Sequence, residues 1–385
     1  MSQTTLKKIA LALIPSVAAV AIFGLGMWAG RYLTLLPFKK QIANFAKSET
    51  LGRMLTSQAE RQARSLAYYD SQAAQQNMDN FSWAVPNVLT PFVGNGPRPG
   101  QSDNAFINSM QFRSTEELQI PKAPNTYRIF LTGGSTAFGS GAPSQEQNIA
   151  GYLNQILNRD LTPISDKRYE VFTAANPAWA STHERILIEN RLSELEPDMV
   201  ISFSGNNDVH WGRLGRNILW FRSYSDQFFW DLVNTLYKSV GYDPMPEVTQ
   251  IAASPVPPPI VAEHLRKNIE LSNFVLAAKG ARYVFVLQPT ISVSSKDLTA
   301  RERAIVERAT PGVVQYFGEC YKELRAMLAG LHADGFSYVD LSDAFAGLTD
   351  KEEIFLDSYH FGDRGYEIVA KRIAQAIRPM LEEKH

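Results

Sequence analysis

The spacing of apolar residues changes several times along the chain, and each change predicts an element. Ile9 to Gly30 is apolar and carries no charge. At 1.5 Å per residue such a run reaches about 33 Å, enough to cross a bilayer as one helix. Pro15 is tolerable inside a spanning helix. From Gln41 to about Asn80 the chain is polar and alanine-rich, with no proline and only Gly52 as glycine. This predicts a helical stalk, or a helix lying on the domain that follows. Between Pro86 and Pro124 the Gly, Pro, Asn and Ser content predicts loop.

Beyond Pro124, strand-like and helix-like segments alternate. Ile129-Phe130-Leu131 has the length and branching of a buried strand and stops at Gly133-Gly134. Ile149, Leu153, Ile156 and Leu157 follow at helical spacing. Tyr169 to Ala175 predicts a second strand, Thr182 to Leu195 a helix, and Met199 to Phe203 a third strand. Arg282 to Leu287 and Phe336 to Leu341 complete the set, separated by a helical stretch from about Thr299. Tyr366, Val369, Ala370, Ile373, Ala374 and Ile377 lie on one stripe of a final amphipathic helix. The alternation predicts an α/β fold: a three-layer, five-stranded parallel sheet flanked by helices and preceded by one transmembrane helix. The expected division is a tail at 1–8, an anchor at 9–30, a juxtamembrane stalk and loop at 31–125, and the α/β domain at 126–385. An insertion at about 211–260 carries Trp211, Trp220, Phe221, Tyr224, Phe228, Phe229, Trp230, Tyr237 and Tyr242, and leaves through Pro255 to Pro259. Two readings stay open for it: a helical insertion packed on the core, or a lid or acyl-binding surface that faces the membrane.

Composition narrows the function classes. A net charge of −1 over 385 residues argues against a nucleic-acid partner. The single Cys320 permits neither an internal disulfide nor a cysteine metal cluster, and the six histidines show no ligand spacing, so no metal or cofactor is expected. Gly134 to Ser140 has the gap of a phosphate loop but lacks its lysine, which argues against nucleotide binding. The apolar run is too long for a cleaved signal peptide and continues past Ala19-Val20-Ala21. Lys7 and Lys8 precede it while Arg31, Lys39, Lys40 and Lys47 follow, so positive charge does not decide orientation. A short tail before one span and a large domain after it predicts a single-pass protein with an extracytoplasmic domain. Oligomeric state is left open.

Ligands of open parallel sheets bind beyond the carboxyl ends of the strands. Ser135, the Asn176 segment and Asn207 all follow strands, on that edge. Ser135 sits where a strand turns towards a helix, beside unpaired N–H groups, which suits a nucleophile. Serine needs a base held by a carboxylate. Asp357 and His360, three residues apart, can interact; His210 is the competing base. Together these segments resemble the SGNH (GDSL-type) hydrolase family over roughly Tyr127 to Ile377. Gly133-Gly134-Ser135-Thr136 stands for the first block, Gly205-Asn206-Asn207-Asp208 fits Gly-x-Asn-Asp, and Asp357-Ser358-Tyr359-His360 fits Asp-x-x-His. Asn108 to Arg113 is similar to a lead-in of membrane-associated bacterial members. The second block departs from the family: aligned from Asn176, its glycine falls on Ser181 or else on Ala178. The resemblance implies a serine esterase acting on acyl or acetyl esters of glycans or lipids through Ser135, His360 and Asp357. The oxyanion would be met by the N–H groups of Ser135 and Ser181 and the side-chain amide of Asn207, with Gly205 and Asp208 bracing the loop. An O-acyltransferase with the same triad and a silent binding module are the alternatives.

Overall fold

The computed structural model describes residues 17–40, 57–216, 221–248 and 254–382. The tail, the first part of the expected anchor, residues 41–56 of the stalk and Trp220 lie outside them. The chain divides into two compact units, the smaller holding residues up to 48 and 227–247, the larger the remainder.

The larger unit is built on a five-stranded parallel sheet: β1 (Thr126–Gly133), β2 (Arg168–Ala175), β3 (Met199–Ser204), β4 (Arg282–Leu287) and β5 (Tyr338–Asp340), in the order β2-β1-β3-β4-β5. Gly133 pairs with both Ala175 and Phe203, so three strands end level on one edge. The strand centres are largely apolar without strict alternation because helices cover both faces. Ile129, Leu131, Met199 and Ile201 face one core with helices α2 (Ile149–Asp160) and α7 (Asp363–Glu382). Phe130, Phe172, Val200 and Phe285 face the other, with α3 (Ser181–Asn190), α5 (Pro258–Ala278) and α6 (Val313–Ala333). The predicted stripe of the final helix, from Tyr366 to Ile377, is buried.

Three predicted elements differ. The fifth strand keeps only its central residues, since an edge strand pairs on one side and only Tyr338 to Asp340 oppose β4. The second helix ends at Asn190 and gives way to a 3₁₀ turn at Leu192–Glu194. The expected loop contains two hairpins, Asn87–Thr90 with Gly94–Pro97 and Gly100–Ser102 with Ala105–Ile107, too short for a periodicity to register. Past them, Arg113 bridges to Thr173 and covers the outer edge of β2, which would otherwise offer open ladder groups. The described part of the stalk lies on the larger unit: Tyr68, Ala74, Met78 and Phe81 form a buried cluster with Leu356.

In the smaller unit, helix Val17–Lys40 is long and apolar enough to cross a membrane and runs ten residues beyond Gly30. Helix Tyr224–Ser239, whose residues from Gln227 on belong to this unit, buries none of its residues. Its side chains are half-buried or exposed.

Candidate active site

β1 ends in a turn that only glycine tolerates. Gly133 has φ +146°, and a Cβ there would lie 2.3 Å from the Phe203 carbonyl oxygen. A Cβ on Gly134 would lie 2.2 Å from Asn207 Nδ2. The two glycines thus let the turn close while the Asn207 amide comes against it. Ser135 opens the one-turn helix α1 (Ser135–Phe138), whose first N–H groups have no intrahelical acceptor. Thr136 Oγ1 donates to Gln288 Oε1 at 2.8 Å, tying this turn to the chain beyond β4. Arg113 Nη1 donates to the carbonyls of Phe138 and Gly139 at 3.0 and 2.8 Å, satisfying the far end of α1. Burial holds the Arg113 guanidinium down at about 10.

The acid–base loop meets this turn from the other end of the chain. His360 Nε2 lies 2.7 Å from Ser135 Oγ, and its Nδ1 lies 2.8 Å from Asp357 Oδ2. Asp357 Oδ1 also accepts the backbone N–H groups of Tyr359 and His360 at 2.8 and 2.9 Å. Burial opposes the Asp357 charge, but the His360 imidazole and these N–H donors outweigh it and hold the carboxyl at about 2. Such a depressed carboxylate contributes stability above its ordinary titration range, and that contribution is lost as pH falls through about 2. The loop is pinned where Thr290 Oγ1 donates to the Ser358 carbonyl at 2.8 Å. Trp83 packs edge-on against the His360 ring at 5.3 Å. His210 makes no such approach: its ring nitrogens each lie 3.3 Å from a tyrosine hydroxyl, Tyr359 and Tyr224.

The expected oxyanion donors divide. Asn207 Nδ2 donates to the Trp179 carbonyl at 2.6 Å beside Gly134, and an amide nitrogen carries a second hydrogen. Ser181 is committed elsewhere. Its N–H and Oγ both bond Asp208, at 3.2 and 2.5 Å, and Asn268 Nδ2 donates to the same Oγ at 2.7 Å. Ser181 belongs to the brace beneath the site, because it begins α3 and its N–H meets a buried carboxylate. Ala178 instead has φ +69°, the backbone region that favours glycine. Its carbonyl accepts from Trp211 Nε1 at 3.1 Å, and the Trp179 N–H closes the turn on the Asn176 carbonyl at 3.2 Å. Gly205 forms the positive-φ cap of α4 (Asn206–Arg213), which carries Asn207 and Asp208. Trp83, Arg113 and Gln288 adjoin His360 or the turn that begins at Ser135 without any sequence signal of their own, apart from the lead-in block that contains Arg113.

Below the strand ends lies a buried carboxyl that the site does not use directly. Glu184 Oε1 accepts from Ser204 Oγ at 2.5 Å and Oε2 from Thr132 Oγ1 at 3.0 Å. Burial raises it to about 7. The folded protein therefore binds a proton there that the unfolded chain has released, between the ordinary carboxylate range and about pH 7. That contribution to stability is present at low pH and is lost as pH rises through about 7. Glu184→Gln should leave Tm nearly unchanged at pH 5 and raise it relative to wild type at pH 8.5. Calorimetry at the two pH values tests this, and an equal shift at both would contradict it.

No family model matches the chain, and no curated protein matches it. Several solved structures are similar in backbone. An acetyl xylan esterase aligns with a TM-score of 0.41 at 14% identity, over 65% of this chain and 99% of that one. A GDSL-like lipase from Parabacteroides merdae aligns with a TM-score of 0.40 at 13% identity, over 68% and 98%. An acetylxylan esterase from Geobacillus stearothermophilus, solved as a catalytic mutant, aligns with a TM-score of 0.39 at 10% identity, over 65% and 94%.

Proposed function

We propose that the protein is a serine esterase of the SGNH type, attached to a membrane by its N-terminal helix, with the α/β unit on the extracytoplasmic side. The observation that carries this reading is the unbroken chain from Ser135 Oγ to His360, 2.7 Å, and from His360 to Asp357, 2.8 Å. In this mechanism His360 Nε2 takes the Ser135 proton while Oγ attacks the ester carbonyl. Asp357 keeps the other ring proton on Nδ1 and so holds the base lone pair towards the serine. The oxyanion is met by the Ser135 N–H, the second hydrogen of Asn207 Nδ2 and the Ala178 N–H, which replaces Ser181 in this role. Collapse passes the His360 proton to the leaving alcohol and leaves an acyl group on Ser135. Water, activated by the same imidazole, then releases the carboxylic acid. The substrate is an acyl or acetyl ester of an exported glycan or a lipid.

Incubation with a fluorophosphonate and intact-mass analysis tests the reading. One adduct on Ser135 and hydrolysis of p-nitrophenyl acetate are expected. Folded protein that takes up no probe would overturn it and favour a binding module. An acceptor sugar added during turnover, with product analysis, separates hydrolysis from acyl transfer.

A further inference from the structure

Helix Tyr224–Ser239 carries a feature the ester chemistry does not explain. Val233, Leu236, Tyr237 and Val240 recur at helical spacing, so they share one face. All four are exposed, at 37%, 49%, 38% and 59%. Phe229 and Trp230 fall on the same side by the same spacing, while Asp231, Thr235 and Lys238 lie on the opposite side. An apolar stripe of this kind is normally what drives a surface helix onto a core. Here the helix buries none of its residues. From Gln227 to Glu247 the segment forms one compact unit with helix Val17–Lys40, whose side chains are likewise exposed and which alone among the described helices is apolar enough to span a bilayer.

We propose that the stripe from Val233 to Val240 lies in the interface of the bilayer that helix Val17–Lys40 spans, as a second, monotopic attachment. The inference rests on the membrane-anchor part of the reading above and not on the triad. An interfacial helix buries its apolar face several ångströms into the boundary between headgroups and acyl chains and keeps its polar face in water. Tyr237 is a residue type that favours that depth. The polar face has one acidic and one basic residue, Asp231 and Lys238, in place of the lysine-rich face that selects anionic lipid. The attachment is therefore apolar in origin and indifferent to headgroup charge. A segment attached at both the span and the stripe is restrained from tilting out of the bilayer plane, which a single span would allow.

The test uses the full-length protein in vesicles of phosphatidylcholine, with bromine on the acyl chains in a matched set. The native Cys320 is buried, so a thiol-reactive fluorophore reports only introduced cysteines. Leu236→Cys and Val240→Cys place it on the stripe, and Lys238→Cys, exposed on the opposite side of the same helix, is the control. Brominated lipid should quench the two stripe positions about twofold and leave the control nearly unchanged. Quenching should persist at high salt, because no counter-charge is involved. Quenching at 236 and 240 no greater than at 238 would overturn the proposal, and would be the result if the stripe instead docked on another protein. Quenching that required anionic lipid would overturn it too. Because these positions are exposed, the variants are expected to fold. Fluorophosphonate labelling of the same samples reads the triad separately, so failure of either reading is visible without the other.

Discussion

Ser135→Ala should reduce ester turnover by about 10⁴- to 10⁶-fold and abolish fluorophosphonate labelling, with Tm unchanged or slightly raised. The substitution removes only the hydroxyl whose partner is His360 Nε2 at 2.7 Å. His360→Ala should cost a similar factor, and the double variant should cost little more than either single one. Groups that act as one unit are non-additive: without the base the hydroxyl is a weak nucleophile, and without the hydroxyl the base has nothing to activate. A double variant slower than both singles by the product of their factors would contradict the shared mechanism. So would a Ser135→Ala protein that kept more than about a tenth of its turnover, since the oxyanion donors alone cannot supply that.

Glu302→Ala should be the most damaging change to stability and should also slow catalysis. Glu302 forms a fully buried ion pair with Lys296 at 2.7 Å, both side chains at 0% exposure. Its other oxygen accepts the N–H groups of Ile354 and Phe355, each at 3.0 Å. The adjacent Arg301 donates to the carbonyls of Phe355 and Leu356 at 2.7 and 2.6 Å. This pair of residues thus grips both polar edges of the chain immediately before Asp357. Removing one partner of a buried ion pair leaves the other charge uncompensated and costs about 3–5 kcal/mol. For a unit of this size that lowers Tm on the order of 10 °C. Three N–H groups, those of Thr299, Ile354 and Phe355, lose their acceptor at the same time, and the chain leading to Asp357 loses its support. Displacement of a catalytic group by about 1 Å costs on the order of 10²-fold in rate. We therefore expect kcat to fall by that order with KM little changed, measured well below the lowered Tm. Arg301→Lys keeps the charge but loses the planar fork, and should lower kcat with a smaller loss of Tm. Unchanged kcat in both variants would mean that the Thr290 and Asp357 contacts position the loop unaided.

Much of this arrangement is legible in the chain itself. Strands covered on both faces must be largely apolar, so Ile129 to Leu131, Met199 to Phe203 and Arg282 to Leu287, with only Ser202 and Arg282 polar, stand out from their surroundings. A close approach of backbone and side chain at the end of β1 excludes a Cβ, so Gly133 and Gly134 are visible as the turn. Asp357 and His360 lie three residues apart and bond within one loop, so local spacing finds them, and the stripe of α7 is periodic over several turns. These are properties of a residue and its near neighbours in sequence. What only the tertiary structure decided is which distant groups face the same point. The choice of His360 over His210 depends on how two loops separated by most of the domain come to rest. The proposed transfer of the oxyanion role from Ser181 to Ala178 depends on a backbone angle and on Asp208 claiming the Ser181 N–H, neither of which is written in a side-chain type. Trp83, Arg113 and Glu302 reach His360, the turn after Ser135 and the chain before Asp357 from segments that read as loop or ordinary helix, because a contact across the core leaves no period in the sequence. The fate of the aromatic stripe belongs to the same class. Its spacing announces an apolar face, but whether that face meets a core or is left open depends on what the fold packs against it.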